Sequence, residues 1–94
     1  MNPNRMQAPS SPPVSEQAIQ RWLVDQLAEV LAVPPGELRV DRSIFELGLD
    51  SAAAVGLTDE LAEWLDRAID PALVYDHPTI EALASALART SGAP

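Results

Sequence analysis

From Ser15 onward apolar residues recur at three- and four-residue spacing. Ile19, Trp22, Leu23, Leu27, Val30 and Leu31 form the series, with Gln20, Arg21, Asp25 and Glu29 between them. That period predicts an amphipathic helix. Ser15 is placed to cap it, and Glu16 falls in the first turn, where an acid is favoured. The stretch VPPGE ends it, because Pro34 and Pro35 cannot continue a helix and Gly36 permits a turn. A connection follows through LRVDRSIFELGL. Leu38, Val40, Ile44, Phe45 and Leu47 make it too apolar for a free loop, so it is predicted to pack onto the helices. A second helix is expected from Asp50 or Ser51 to about Leu65 or Arg67. The segment DPALVYDHP leaves room for one or two turns between its prolines. A last helix opens near Pro78 or Thr79 with Ile80, Leu83 and Leu87 as its apolar face.

No stretch reads as a strand, and no internal repeat is visible. The pattern therefore predicts an all-α fold, a small four-helix bundle of three long helices and one short third helix. The folded unit is expected over residues 15–89. Residues 1–14 read as a disordered Pro/Ser-rich segment, and 90–94 as a tail.

At about 100° per residue the second helix separates into two faces. Ala54, Leu57, Leu61, Trp64 and Leu65, with Thr58 at the margin, are expected on the core side. Ala52, Gly56, Asp59 and Glu63 fall on the opposite side, with Asp66 at its edge. Gly56 costs roughly 1 kcal/mol against alanine in a helix interior, so propensity does not explain it. A smooth patch of small residues ringed by acids suits close docking of a partner. An ordinary solvent face is the alternative.

Charge changes the picture further. The chain of 94 residues has 14 acids, six arginines and no lysine, for a net charge of −8. Such a field repels phosphate backbones, which argues against nucleic acid as a partner. Nine of the acids and one base, Arg67, lie between Ser43 and Ala88, so basic protein surfaces fit this half best. The absence of cysteine removes disulfides and thiolate metal sites. The N-terminus has no apolar core of the kind that directs export, and no run is long enough for a bilayer, so a cytoplasmic protein without membrane association is expected.

FELGLDS places Gly48, Asp50 and Ser51 at the mouth of the second helix. Three roles are open to Ser51: part of a helix cap, a catalytic nucleophile, or a point of covalent attachment. Catalysis needs a base, and the one histidine, His77, is held between Asp76 and Pro78 as a turn residue before the last helix. GLDSA also lacks the second glycine of a nucleophile elbow. Neither a catalytic site nor a metal site is expected. A helix N-terminus does tolerate phosphate, since its first N–H groups are unpaired and the dipole favours negative charge. Asp50 is a good N-cap, and Gly48 allows the sharp turn before it.

FELGLDS, followed by AAAVGLTDEL and later by ALVYDHPTIEALASAL, resembles the acyl carrier proteins of polyketide synthases over about Ile19 to Leu87. The resemblance implies a four-helix bundle with no catalysis of its own. The serine matching Ser51 would receive 4′-phosphopantetheine from coenzyme A through a separate phosphopantetheinyl transferase. The thiol of that arm would hold acyl groups as thioesters. Asp50, Asp59, Glu60 and Glu63, with Ala52 and Gly56, would meet the partners. These are the transferase, an acyl-loading enzyme (an acyl-AMP ligase or an acyltransferase), and a ketosynthase or other assembly-line enzyme, with the carrier acting as a monomer. Ala52 stands where the family usually has a large apolar residue, and Gly56 where it often has an acid. Both thin the usual contacts and point away from a generic ketosynthase. The segment with Trp64 is similar to carriers paired with fatty acyl-AMP ligases. A peptidyl or aminoacyl carrier is the nearest alternative, though those usually show Gly-Gly-x-Ser. An unmodified helical adaptor is the alternative from another class.

Overall fold

The computed structural model describes residues 14–91. Four helices follow in order: α1 (Glu16–Leu31), α2 (Ser51–Leu65), α3 (Ala72–Asp76) and α4 (Ile80–Ser91), with a 3₁₀ turn at Pro35–Glu37 after α1. Among the described residues the one β feature is an isolated bridge between Ser43 and Thr79. No helix among them is long and apolar enough to cross a membrane. Val14, assigned by the sequence to the N-terminal lead, packs against the core. The rest of the lead, 1–13, and the end of the tail, 92–94, lie outside the described residues.

Each of the three long helices starts on a side-chain cap. Ser15 Oγ accepts from the Ala18 N–H (3.1 Å), Asp50 Oδ1 from Ala53 (2.8 Å) and Thr79 Oγ1 from Ala82 (3.1 Å). Such caps are each worth about 1 kcal/mol. The ends of α1 and α2 turn left-handed on Ala32 (φ 57°) and Asp66 (φ 56°) rather than on glycine. In both, the cap N–H reaches back to carbonyls of the last turn, which satisfies groups a helix end leaves open.

The core is built from Ile19, Leu23 and Leu27 of α1, Ala54, Leu57 and Leu61 of α2, Val74 of α3, and Ile80, Leu83, Ala84 and Leu87 of α4. Two expectations of the helical wheels need correction. Val30 is 56% exposed rather than buried. Trp64 is 39% exposed, and its ring stacks on Trp22 with centroids 5.2 Å apart and planes 11° from parallel. Thr58, placed at the margin of the core side by the sequence, is fully buried, and its hydroxyl donates to the Ala54 carbonyl (2.8 Å), so it leaves no polar group unmatched. The Trp22–Trp64 stack joins the first half of α1 to the last turn of α2. At the other end, Leu31 approaches Gly48 just before α2. The two helices therefore run antiparallel.

The connection 38–50 packs as its apolar content predicts. Ile44 and Leu49 are buried, while Leu38, Val40, Phe45 and Leu47 lie against the core. Backbone bonds tie it to the start of α4: the Ile44 N–H donates to the Pro78 carbonyl (2.8 Å) and the Glu81 N–H to the Val40 carbonyl (3.1 Å). A tight turn then delivers the chain to α2, with Leu47, Gly48 and Leu49 donating to Ser43, Phe45 and Ile44. Gly48 holds φ at 121°, far outside the left-handed helical well near 57° that other residues can reach.

These backbone positions make opposite demands on substitution. Ala32→Gly should raise stability by roughly 0.5–1 kcal/mol, because it relieves a left-handed alanine and only part of the gain is lost to unfolded-state entropy. Gly48→Ala should lower stability by about 1–3 kcal/mol, with no rescue by Gly48→Asn. Urea unfolding followed by tryptophan fluorescence checks both. An unchanged midpoint for Gly48→Ala would show that the turn does not require this φ.

Candidate functional site: an exposed serine at the mouth of α2

Ser51 is the first residue of α2 and is exposed. Its position is inherited from buried neighbours on both sides, Leu49 two residues before and Ala54 three residues after. Of the first four N–H groups of the helix, Ala53 donates to Asp50 Oδ1 and Ala54 to the Asp50 carbonyl (2.9 Å). Those of Ser51 and Ala52 have no partner among the described residues. Nor does any described side chain hydrogen-bond the Ser51 hydroxyl, so no base is poised to activate it. His77 is the C-cap of α3, its backbone N–H donating to the Leu73 carbonyl (2.9 Å). Among the described residues no group of three or more His, Asp or Glu side chains could hold a metal ion.

The local field at Ser51 is close to balanced. The open N–H groups and the helix dipole favour an anion by about 0.3–1 kcal/mol. The exposed Asp50 carboxylate opposes it, by about 1 kcal/mol at most in water. A phosphate here is tolerated rather than captured, which suits a covalent group better than a diffusible ligand. The exposed Ser51 leaves its hydroxyl open to such a group, and the two open N–H groups match phosphodiester oxygens. The residues present fit 4′-phosphopantetheine.

Ala52, Gly56, Asp59, Glu60 and Glu63 are all exposed along the outer side of α2. A methyl group on Gly56 would meet nothing within 4 Å, so the glycine leaves an open shallow surface rather than filling a tight contact. The ion pairs among the described residues lie elsewhere, in the connection before α2: Arg39 with Asp41 (2.9 Å) and Arg42 with Glu46 (3.4 Å). The hydrogen bond from Arg39 holds the Asp41 carboxyl below its ordinary value. Arg67 turns inward, its Nη2 donating to the Leu87 carbonyl (2.9 Å). The acids of α2 therefore keep their charge facing outward.

Two further exposed residues have no role assigned from the sequence. Val55, one turn beyond Ser51, is 43% exposed, and Tyr75 of α3 is 51% exposed with its ring stacked on Phe45 (5.2 Å, 15°). The signal for Tyr75 was present: an aromatic residue in a segment too short to bury it. Nothing in the periodicity singles out Val55.

Residues 21–87 match the family described as "Phosphopantetheine attachment site". The chain is 39% identical over 79 residues to one component of the phenolphthiocerol/phthiocerol polyketide synthase of Mycobacterium tuberculosis, a match covering 84% of this chain and 4% of that protein. The chain thus spans a small fraction of that relative's length. It is 32% identical over 77 residues to the acyl carrier protein TtuC of Teredinibacter turnerae, covering 82% of this chain and 88% of that one. Among solved structures, an acyl carrier protein from Anabaena sp. PCC 7120 superimposes with a TM-score of 0.79 at 34% identity, covering 86% and 92% of the two chains. A free-standing peptidyl carrier protein from Acinetobacter baumannii gives a TM-score of 0.76 at 26% identity, covering 81% and 95%. The chain belongs to the phosphopantetheine attachment-site family, as a carrier domain of the polyketide synthase type with no catalysis of its own.

Proposed function

We propose that Ser51 carries the 4′-phosphopantetheine and that the chain presents acyl intermediates to the enzymes of polyketide or related acyl-chain assembly. The observation that carries this reading is the exposed hydroxyl on the first residue of α2, with the unpaired N–H groups of Ser51 and Ala52 beside it. When bound, the group supplies a flexible arm whose thiol holds an acyl chain as a thioester. The chain's own work is positional. Asp50 fixes the helix start through Ala53, Gly48 sets the turn, and the buried Ile44 and Leu49 hold both against the bundle. The absence of a local base is in keeping with attachment by a separate transferase that brings its own. An acyl rather than a peptidyl cargo is supported by Gly-Leu-Asp-Ser at this position, where peptidyl carriers usually show a second glycine.

The docking face in this reading is Asp50, Ala52, Gly56, Asp59, Glu60 and Glu63. Its partners are a phosphopantetheinyl transferase, an acyl-loading enzyme (an acyl-AMP ligase or an acyltransferase) and a ketosynthase. Outward carboxylates speed encounter with basic partner surfaces more than they tighten the final complex. Small residues at 52 and 56 admit a protruding partner group close to the helix backbone.

Attachment is tested by intact mass after incubation with coenzyme A and a tolerant transferase. The wild type should gain one phosphopantetheine and Ser51→Ala none, with the fold unchanged because the hydroxyl is exposed. Modification of Ser51→Ala would move the site to another serine.

The face is tested with fully modified protein and its loading enzyme. Gly56→Glu should slow loading without lowering stability, since the site has room for the side chain and glutamate is a better helix former than glycine. Charge reversal at Asp59 and Glu63 should slow loading through association, and the defect should shrink as salt rises. Equal loading rates in all variants would make this face ordinary solvent surface.

A further inference from the structure

The two ends of α2 lie in different surroundings. Ser51 opens the helix, and Trp64 lies 13 residues beyond it, about 20 Å along the helix at 1.5 Å per residue. There it stacks on Trp22, with ring centroids 5.2 Å apart. Stacking covers one face of each indole, yet Trp64 stays 39% exposed and Trp22 half-buried. Two large flat rings thus share an edge of the bundle that still meets water.

The same end of the bundle receives the chain from residues 1–13. Val14 is half-buried and packs against the core, and Ser15 caps α1, so the segment enters at a fixed point. Trp22 lies six residues into α1 from Glu16, about 9 Å along the helix. Thirteen residues span up to about 40 Å as a polyproline helix at 3.1 Å per residue, so reach is ample even after the chain reverses. Four of the thirteen are prolines, and Pro9-Ser10-Ser11-Pro12 spaces two of them by three. In a polyproline helix that spacing puts both rings on one face, one turn apart. The segment also holds one base, Arg5, and no acid, whereas all 14 acids lie in the rest of the chain. The other stacked pair, Phe45 with Tyr75, is a poorer match. It belongs to the turn beside Gly48, which Leu31 approaches from the far end of α1.

We propose that the chain's own residues 1–13 dock on the Trp22–Trp64 edge as an extended polyproline segment, with Pro9 and Pro12 packed on the indole rings. Proline against aromatic rings is a recurring mode of recognition, because the apolar surfaces match and the fixed φ of proline leaves little freedom to lose. The contact is intramolecular, so a high effective concentration lets a weak pairing suffice. Charge assists it, since a segment with one base and no acid is drawn to an acidic body. The consequence is positional. The segment is held about 20 Å along α2 from Ser51, so the chain that enters the bundle leaves the serine end clear for any enzyme that engages it.

The test exploits the absence of cysteine from the chain. Ser10→Cys accepts a single nitroxide between the two prolines of the full ¹⁵N-labelled chain. The indole N–H resonances of Trp22 and Trp64 should broaden strongly, while the amide resonances of Ser51 and Tyr75 keep their intensity. Pro9→Ser combined with Pro12→Ser keeps the segment's length and should remove most of the indole broadening. In the untagged chain the same two substitutions should shift tryptophan emission to the red and raise its quenching by acrylamide. Ser51→Ala should leave all of these readouts as in the wild type, which keeps this proposal separable from the reading of Ser51. Indole broadening that survives the proline substitutions, or that is no stronger than at Tyr75, would overturn the proposal. Unmoved emission would do the same. So would broadening of an untagged ¹⁵N chain by a tagged, unlabelled one, since that would assign the edge to a second copy of the chain.

Discussion

Where the serine-bearing helix begins is decided by a connection, not by the helix. The Ile44 side chain is buried and its N–H is bonded to the Pro78 carbonyl, so residues 38–50 lie pinned across the start of α4. Leu49, buried five residues later, fixes the other end of the turn. Between them Gly48 takes a φ that only glycine accepts without strain. The chain reaches Asp50 in one direction only, and α2 starts with its first N–H groups and Ser51 pointing outward. If the connection came loose, α2 could persist as a helix, but the orientation of its mouth would no longer be specified.

This arrangement explains how a short chain without disulfides keeps a precise site on its surface. The core draws side chains from every helix and from the connection, so the connection is ordered by the same burial that holds the helices together. Arg67 adds a polar tie between the end of α2 and the Leu87 carbonyl near the end of α4. The ion pairs of the connection, Arg39 with Asp41 and Arg42 with Glu46, are solvent-exposed. Pairs of that kind contribute little to stability; their effect is to neutralise the bases of the connection, so that they do not offset the acids along α2.

Much of this was legible from residue order. Helix limits followed from period and punctuation, because Ser15, Asp50 and Thr79 are caps whose chemistry is local. The apolar content of residues 38–47 announced a packed connection, and the Gly48-Leu49-Asp50-Ser51 order announced an exposed serine at a helix start. The sequence misled at the margins of the α2 wheel. Thr58 and Trp64 lie on opposite sides of the Ala54–Leu61 stripe, and hydrophobicity favours tryptophan for the interior. The structure keeps Thr58 on the core side, as expected, because a threonine in a helix can satisfy its hydroxyl on the carbonyl four residues back, and it is Trp64 that is left partly exposed. Trp64, on the other margin, finds Trp22 at the edge of the bundle. That choice depends on a partner 42 positions away in the chain, which no local period encodes. The hydrogen bond from Ile44 to Pro78 was hidden for the same reason.

The burial of Thr58 also shapes what α2 offers to other proteins. Rotating the helix to bury Thr58 turns Trp64 outward and keeps the Ala52, Gly56, Asp59 and Glu63 stripe fully in solvent. One rotation therefore sets two surfaces, a smooth acidic one continuous with Ser51 and an aromatic one at the far end. A helix rotated to bury Trp64 would swing the glycine stripe toward a neighbouring helix and remove both. The satisfied hydroxyl of Thr58 is thus a condition for the outward chemistry of α2, although Thr58 itself touches no solvent.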